Sequence, residues 1–194
     1  MRVIVRTCAG REDYLKYVLS ILPHAEVCFD DVGGASANYI KSLEMAGDSA
    51  VLNIEDDILF CDDFIAKAAR VIQPRQNAVI QFFTMRKACK EIGSRWEAGS
   101  GFMSCLCNYY PPKVSKGLLA FATKWQGCKS NGKHIDLNSS CQPLDVCVAK
   151  YLQAAKQRYW IECPHLVNHR VGRSAIDPKR GSTNRVSTNF IQGT

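Results

Sequence analysis

The sequence lacks several patterns that identify common enzyme and membrane classes. No G-x-G-x-x-G follows the first apolar segment and no G-x-x-x-x-G-K-[ST] occurs anywhere, which disfavours a dinucleotide enzyme and a P-loop hydrolase. No apolar run approaches the roughly 20 residues that a membrane-spanning helix requires. The apolar part of the opening segment MRVIVRTCAG is too short for a signal peptide. We therefore expect a cytoplasmic protein without a transmembrane segment.

A further absence concerns cysteine pairing, although the chain is rich in cysteine. Ten cysteines occur in 194 residues, yet none forms a Cys-x-x-Cys pair, and they are scattered among apolar residues. Only Cys105 and Cys107 are close, and on a strand their spacing would place both side chains on one face. We predict reduced thiols that serve as small apolar side chains, with a structural zinc site as the less favoured alternative.

Acidic residues become scarce after the first third of the chain. Residues 1–60 contain 5 Lys and Arg against 10 Asp and Glu, a charge of −5, whereas residues 61–194 contain 20 against 8, a charge of +12. A basic part of this size favours a phosphate-bearing partner, such as a bound diphosphate, a polyanionic acceptor or both. The alternative is a basic surface that serves only solubility.

In the first sixty residues, apolar segments with the spacing of a strand alternate with segments with the spacing of a helix. Their order is strand 3–5, helix 11–22, strand 26–29, helix 35–46 and strand 50–54. This β-α-β-α-β order predicts parallel strands with right-handed crossovers, and hence a single α/β, Rossmann-like domain with a mixed, mostly parallel sheet flanked by helices. The remaining prediction is helix 62–72, strand 78–83, polar connection 84–100, strand 102–106, helix 111–125, loop 127–142, a helix from 143, strand 159–162 and a polar, basic tail from 164.

Three consecutive carboxylates, Glu55, Asp56 and Asp57, follow the apolar strand at 50–54. The carboxyl ends of strands in an open α/β sheet are where ligands bind. Adjacent like charges raise one another's pKa, and a divalent cation such as Mg²⁺ or Mn²⁺ relieves the repulsion. The alternative is a solvated acidic turn that only caps the following helix.

The chain resembles a small glycosyltransferase with the GT-A fold, which transfers a sugar from a nucleotide-sugar donor. The Glu55–Asp57 run is similar to the EDD form of the DxD motif of such enzymes. The ending at 164–169, followed by Ser174, resembles their P-x-L-V/F-x-H…S ending. The other matching stretches are Arg6-Thr7 with Gly10-Arg11 in the opening strand and turn, and Pro143-Leu144-Asp145 at the start of a helix.

The resemblance implies a metal site and a donor site. Asp57 would be the direct ligand of the metal, and His169 would add a nitrogen ligand, which suits Mn²⁺ better than Mg²⁺. Glu55 would lie near the donor ribose or the metal's waters, and Asp56 would orient the sugar. The favoured donor is a UDP-sugar. The chain would divide into a nucleotide-binding half at 1–60, an acceptor half at 61–163 and a basic tail at 164–194 over the active site.

Asp145 is the candidate general base. A carboxylate there would take the proton of the acceptor hydroxyl as this hydroxyl attacks the sugar. The alternative is an acid in the first turn of a helix, stabilised by the helix dipole after Pro143. A retaining enzyme would need no such base, so the stereochemistry of transfer stays open.

The remaining predicted site residues surround the donor. They fall into four groups: an opening turn that holds the base and ribose, a helix residue at the nucleobase, a glycine-rich turn near the sugar and acceptor, and a basic lid over the diphosphate. The alternatives are an ordinary polar helix residue for the second group and a plain hairpin turn for the third. The opening turn comprises Thr7, Ala9, Gly10 and Arg11, and the helix residue is Asn38. The glycine-rich turn comprises Gly99, Ser100 and Gly101, and the basic lid comprises Arg173, Lys179 and Arg180.

Three functions stay open. The favoured one is transfer to a polyanion, above all DNA that carries a hydroxymethylated base, which would have to be flipped out of a duplex. The second is transfer to a lipopolysaccharide or other surface glycan, and the third is a nucleotidyltransferase or a nucleic-acid-binding module. Five aromatic residues are candidates for stacking on a base, with core packing as the better interpretation for most of them: Trp96, Tyr109, Tyr110, Trp125 and Trp160.

Overall fold

The computed structural model describes residues 1–31, 34–85, 93–130, 133–137 and 143–170, together with Ser187 and Phe190. The strands in this part of the chain are β1 Arg2–Cys8, β2 Glu26–Asp30, β3 Val51–Glu55, β4 Ile58–Phe60, β5 Val79–Gln81, β6 Arg95–Ala98, β7 Cys107–Tyr110, β8 Cys128–Ser130, β9 Lys133–Ile135, β10 Arg158–Ile161 and β11 Val167–His169. Seven of them form one sheet in the order β2-β1-β3-β7-β5-β10-β6. The helices are α1 Glu12–Ile21, α2 Gly34–Ala46, α3 Phe64–Ile72, α4 Pro112–Ala122 and α5 Pro143–Ala154.

The sheet is mixed and mostly parallel. Strands β2, β1, β3, β5 and β10 point in one direction, whereas β7 and β6 are antiparallel to their neighbours. The carboxyl ends of the five parallel strands therefore lie at one edge of the sheet. Glu55, the last residue of β3, lies at this edge beside Arg6 of β1. The predicted α/β, Rossmann-like architecture is confirmed.

Helices cover both faces of the sheet because its central strands carry apolar residues on both faces. One face, which includes Val5 and Ile54, packs against α1 and α3. The opposite face, which includes Ile4 and Val51, packs against α2, α4 and α5. No helix in the described ranges is long and apolar enough to cross a bilayer.

Local chemistry explains where several helices begin. Glu12 and Asp13 occupy the first turn of α1, where carboxylates interact favourably with the helix dipole. Pro112 opens α4, a position at which the missing N–H has no intrahelical partner to lose. Both helices were predicted, and their bounds differ from the prediction by one to three residues because helix ends carry the weakest periodic signal.

Five short strands differ from the prediction. The strand expected at 102–106 lies instead at β7, because Ser104 has a φ of 95° that interrupts an extended backbone. Strand β6 lies in the expected polar connection, β8 and β9 form a hairpin in the expected loop, and β11 lies in the expected tail. Strands of three or four residues with polar side chains have too little alternation to be recognised. The eight described cysteines are free thiols, as predicted.

Candidate active site

The three carboxylates lie where β3 leaves the sheet. Glu55 ends β3, and Asp56 and Asp57 form the turn that leads into β4. Strand β11 pairs with β4 in antiparallel register, so that His169 is opposite Ile58. The backbone N–H of Arg170 then donates to the carbonyl oxygen of Asp57 at 2.7 Å. This two-stranded ladder brings the chain around residue 169 to the acidic turn.

Asp57 and His169 face each other. Nε2 of His169 lies 3.4 Å from Oδ2 of Asp57, and both side chains are largely buried. Nδ1 of His169 lies 2.8 Å from the carbonyl oxygen of Arg170. Because a carbonyl only accepts hydrogen bonds, Nδ1 is the donor in this contact, and the ring is held with Nε2 toward Asp57. A carboxylate oxygen and an imidazole nitrogen thus face each other beside the acidic turn.

Arg11 neutralises part of the acidic turn. Its Nη1 lies 3.0 Å from Oδ1 of Asp56 and 3.1 Å from Oδ2 of Asp57. Its guanidinium also lies over the ring of Tyr14, at 4.9 Å from the ring centre. Arg170 lies over the same ring at 4.4 Å. Two guanidinium groups therefore flank one aromatic ring beside the carboxylates.

Asp56 is the most enclosed of the three acids. Its side chain is buried, Thr7 Oγ1 donates to its Oδ2 at 2.6 Å, and Arg11 binds its other oxygen. Burial raises the pKa of Asp56 to about 6, although the Thr7 hydroxyl and the Arg11 charge act in the opposite direction. Both oxygens thus have partners inside the protein, and a contact of Asp56 with a sugar stays a prediction.

Glu55 is held by a buried arginine. Arg6 Nη2 lies 3.0 Å from Oε1 of Glu55, and Arg6 Nε donates to Oδ1 of Asn53 at 2.8 Å. The same Nη2 donates to the carbonyl oxygen of Cys105 at 2.7 Å. An arginine in an otherwise apolar strand needs such partners when it is buried. The sequence analysis used Arg6 only as part of the resemblance and did not predict this pairing with Glu55 and Asn53.

Asp145 lies in the first turn of α5 and joins the same cluster. The Cys105 thiol and the backbone of Ser104 and Cys105 lie near its carboxylate and favour its charged form. Burial raises the pKa of Asp145 to about 6, the Cys105 thiol lowers it, and the negative charge of Glu55 raises it further. The structure thus brings the predicted base to the carboxylate edge, close to Glu55.

The opening turn lies at the same edge, with its residues in different environments. Ala9 and Gly10 are exposed, and Gly10 has a φ of 77° that favours glycine. Asn38 is buried, donates to the carbonyl oxygen of Thr7 at 3.0 Å and accepts from the Cys28 thiol at 2.9 Å. Its amide therefore supports the end of β1 from inside the fold, and a contact with a nucleobase stays a prediction.

The glycine-rich turn is placed differently from the prediction. Gly99, Ser100 and Gly101 form a short 3-10 turn directly after β6, and Ala98 pairs with Arg158 at the start of β10. The start of β10 lies at the edge opposite to the carboxylates. This turn is therefore not beside the acidic cluster, and its glycine serves close packing against α5. The predicted lid residues Arg173, Lys179 and Arg180 lie outside the described residues.

Most of the candidate stacking aromatics belong to the core or its margin. Tyr109 and Tyr110 are buried, as the packing interpretation expects. Cζ of Arg75 lies 3.8 Å from the centre of the Trp160 ring. The rings of Trp160 and Trp96 meet edge to face, with their centres 5.6 Å apart. Trp96 lies in β6, at the edge of the sheet, and is 41% exposed. Its indole therefore has an open surface.

No family model and no curated protein matches the chain. Among solved structures, the chain is similar to A197 from STIV at 11% identity, with 100% of this chain and 95% of that chain covered and a TM-score of 0.52. It is also similar to apo-UDP-glucose pyrophosphorylase at 12% identity, with 83% of this chain and 72% of that chain covered and a TM-score of 0.46. The likeness to A197 shows the fold alone, and it extends over nearly the whole of both chains.

Proposed function

We propose that this protein is a metal-dependent glycosyltransferase of the GT-A type, which moves a sugar from a nucleotide-sugar donor to a hydroxyl group. The observation that carries the proposal is the pairing of Asp57 Oδ2 with His169 Nε2 at 3.4 Å, with Nδ1 of the histidine directed to a backbone carbonyl. A histidine whose second nitrogen donates to a carbonyl is the usual arrangement of a metal ligand.

The two side chains fit a divalent cation such as Mn²⁺ or Mg²⁺. Two ligands at about 2.1 Å from one ion and at right angles to each other are about 3 Å apart, close to the spacing seen here. Oδ1 of Asp57 is buried and has no hydrogen-bond partner among the described residues. Within those residues no group of three or more His, Cys, Asp or Glu side chains is arranged to hold a metal. Phosphate oxygens of the donor would therefore complete the coordination, as is common for Mg²⁺ and its analogues.

The other residues have distinct tasks in this proposal. A bound divalent cation stabilises the negative charge of the diphosphate leaving group. Arg11 and Arg170 lie beside the acidic turn and would pair with donor phosphates, since guanidinium groups bind phosphate oxygens well. Asp145 would take the acceptor proton at a carboxylate oxygen, and a pKa of about 6 suits a base at neutral pH.

For the acceptor we favour DNA with a hydroxymethylated base over a surface glycan. The support is the charge of +12 carried by residues 61–194. A lipid-linked glycan presents phosphates as well, so transfer to a glycolipid but not to DNA would reassign the acceptor and leave the reaction class intact. A nucleotidyltransferase would need carboxylates at the same place, and release of pyrophosphate from a nucleoside triphosphate would identify it.

The first test is thermal stability against nucleoside diphosphates and nucleotide sugars, each with and without Mn²⁺. A ligand that binds only the native state raises the Tm. We expect a Mn²⁺-dependent increase with one nucleotide sugar, UDP-sugars being the favoured candidates. Asp57→Asn should keep the fold and lose this increase, whereas Asp48→Asn, at an exposed ion pair with Lys116, should keep it. No increase with any nucleotide sugar, or the same increase in Asp57→Asn, would reject the proposal.

A further inference from the structure

Tyr14, in the first turn of α1, contacts two arginines from distant parts of the chain. Cζ of Arg11 lies 4.9 Å from the centre of its ring, and Cζ of Arg170 lies 4.4 Å from the same centre. Both distances are within the roughly 6 Å at which a guanidinium group is attracted to an aromatic face. Arg11 precedes α1 and Arg170 follows β11, so this one ring connects the two segments that meet at the acidic turn.

The ring of Tyr14 lies outside the hydrophobic core. The residues with which α1 packs on the sheet are Leu15, Tyr17 and Val18. Tyr14 is half-buried and does not belong to that packed group. The contacts that the structure gives to its ring are the two guanidinium groups, so we look for its role in them.

The two guanidinium groups have different partners. Nη1 of Arg11 lies 3.1 Å from Oδ2 of Asp57. Arg170 lies over the rings of Tyr14 and Tyr17, at 4.4 and 5.9 Å from their centres, and in the described part of the chain it forms no ion pair. A contact with an aromatic face uses none of the five N–H groups of a guanidinium, so these donors stay available for a ligand.

Such a pair of cations is suited to a ligand with several anionic oxygens. Two positive groups that contact the same ring repel each other, and an anion bound to both relieves the repulsion. Guanidinium groups bind phosphate oxygens through paired N–H donors. The ring also fixes two long, flexible side chains before a ligand arrives, so that less conformational entropy is lost on binding.

We propose that Tyr14 is a positioning residue that holds Arg11 and Arg170 as a pair for one diphosphate group. The inference rests on the proposed function, which supplies the diphosphate as part of the nucleotide-sugar donor. Tyr14 acts through the two arginines and does not bind the ligand itself. Its role therefore depends on the aromatic ring and not on the hydroxyl group.

Tyr14→Leu is the direct test, with inorganic pyrophosphate as the probe and no metal present. Leucine is apolar and fits a helix but has no aromatic face, so both guanidinium groups lose their support. We expect the affinity for pyrophosphate, measured by isothermal titration calorimetry, to fall roughly ten-fold, with a Tm close to that of the wild type. Tyr14→Phe keeps the ring and should keep the affinity within roughly two-fold of the wild type.

A double-mutant cycle shows whether Tyr14 acts through the arginines. Tyr14→Leu should weaken binding by roughly three-fold in an Arg170→Gln background instead of ten-fold, because only the contact with Arg11 is then left to lose. Tyr151→Leu, at a half-buried tyrosine of α5 whose ring contacts Phe121, is the matched control and should leave the affinity unchanged. If Tyr14→Leu does not fold, Tyr14→Gln takes its place, because glutamine has a higher helix propensity than tyrosine.

Four results would overturn the inference. The first is a wild-type protein that does not bind pyrophosphate, and the second is an unchanged affinity in Tyr14→Leu. The third is an equal loss in Tyr14→Phe, which would assign the effect to the hydroxyl group. The fourth is an equal loss with and without Arg170→Gln, which would mean that Tyr14 does not act through that arginine.

UDP and a nucleotide sugar separate this inference from the proposed function. Tyr14→Leu should weaken UDP and pyrophosphate by the same factor, because the diphosphate is the group that is held. A loss for UDP alone would place Tyr14 at the base or ribose and reject the pair. If the wild type binds pyrophosphate through Tyr14 and Arg170 but binds no nucleotide sugar with Mn²⁺, the anion-binding pair stands and the glycosyltransferase assignment fails. If wild type and Tyr14→Leu bind a nucleotide sugar equally well with Mn²⁺, the assignment stands and the positioning role is rejected.

Discussion

Adjacent carboxylates in this protein have different environments because their neighbours differ. Asp56 is enclosed by the Thr7 hydroxyl and by Arg11, whereas Asp57 shares Arg11 but also faces His169. The buried acid supports the turn, and its neighbour has an oxygen without a partner in the described structure. A run of three acids in the sequence therefore corresponds to three environments: Glu55 paired with Arg6, Asp56 enclosed by Thr7 and Arg11, and Asp57 facing His169.

Arg11 should compete with a metal ion for Asp57. Its Nη1 lies 3.1 Å from the same Oδ2 that faces His169, so a divalent cation there would meet a positive charge at close range. We expect Arg11→Gln to bind Mn²⁺ roughly ten-fold more tightly in the absence of donor, because like charges at this distance repel. Donor affinity should fall, because a phosphate partner is lost. Isothermal titration with Mn²⁺ alone and then with the nucleotide sugar measures both effects.

Arg2→Gln is the control for Arg11→Gln, because it removes the same charge at the opposite edge of the sheet, where Arg2 pairs with Glu26. It should change neither affinity. Equal Mn²⁺ affinity in Arg11→Gln and the wild type would show that the guanidinium does not compete with the ion.

Asp145 should make the protein less stable as the pH rises. Burial raises its pKa to about 6 in the folded state, above the usual value of about 3.9 for an aspartate, so the native state binds the proton more tightly than the unfolded state does. Stability is then lost as the pH rises between these two values. Asp145→Asn removes this loss, and we expect the variant to gain stability relative to the wild type, by on the order of 2 kcal/mol at pH 7 and by little at pH 4. Urea unfolding at the two pH values measures the difference.

Asp48→Asn serves as the control here too, because its carboxylate is exposed and should contribute no comparable pH dependence. A gain in Asp145→Asn that is the same at pH 4 and pH 7 would mean that burial of the carboxylate is not its source. A stable but inactive Asp145→Asn would show that the protein retains an unfavourable buried acid for the reaction.

At the scale of elements, the site depends on a ladder of two three-residue strands. β4 and β11 bring His169 to Asp57, although the two residues are far apart in sequence. The long, periodic elements of the first sixty residues were predictable, since burial on two faces of a parallel sheet requires their pattern. β11 was not, because three residues have no period. The resemblance of the chain's ending to known motifs nevertheless indicated His169.

The glycine-rich turn gives an element-scale prediction. A Cβ on Gly99 would lie 2.6 Å from Cβ of Leu152 and 2.7 Å from the carbonyl oxygen of Gln157. Gly99→Ala should therefore destabilise the fold by about 1–3 kcal/mol, because the packed end of α5 has to shift. Thermal unfolding should show a Tm lowered by several degrees, with Mn²⁺ binding unchanged since the turn lies at the opposite edge. Ser100→Ala, at the exposed neighbouring residue, is the control. Loss of Mn²⁺ binding in Gly99→Ala would instead support the predicted role of this turn near the donor.

At the scale of the whole molecule, the fold class and the β-α-β-α-β order of the first sixty residues were predictable, whereas the strand pairing of the later chain and the side-chain geometry were not. The periodicity of the apolar residues indicated the sheet and its helices, and the acids at the end of β3 indicated the edge of the candidate site. The strained Ser104 had no sequence signal, because its φ results from amides on β5 and β7 that meet only in the folded chain. The Gly99 turn was misplaced for a related reason: its position depends on the pairing of β6 with β10, which the sequence did not suggest.

The uneven charge of the chain leads to the last prediction, which concerns the acceptor. If residues 61–194, with their charge of +12, bind a polyanion, each neutralised phosphate releases counterions, so affinity falls with salt. We expect single-stranded or duplex DNA to bind with a slope of log K against log salt of about −3 to −6, corresponding to several phosphate contacts. Fluorescence anisotropy at several salt concentrations measures the slope.

Trp96→Ala should weaken binding to single strands by about 1–3 kcal/mol if the exposed indole stacks on a base. Ile65→Ala, at an exposed apolar residue of α3, should not weaken it. Absence of DNA binding at low salt, together with binding to anionic vesicles, would reassign the basic part to a lipid-linked acceptor.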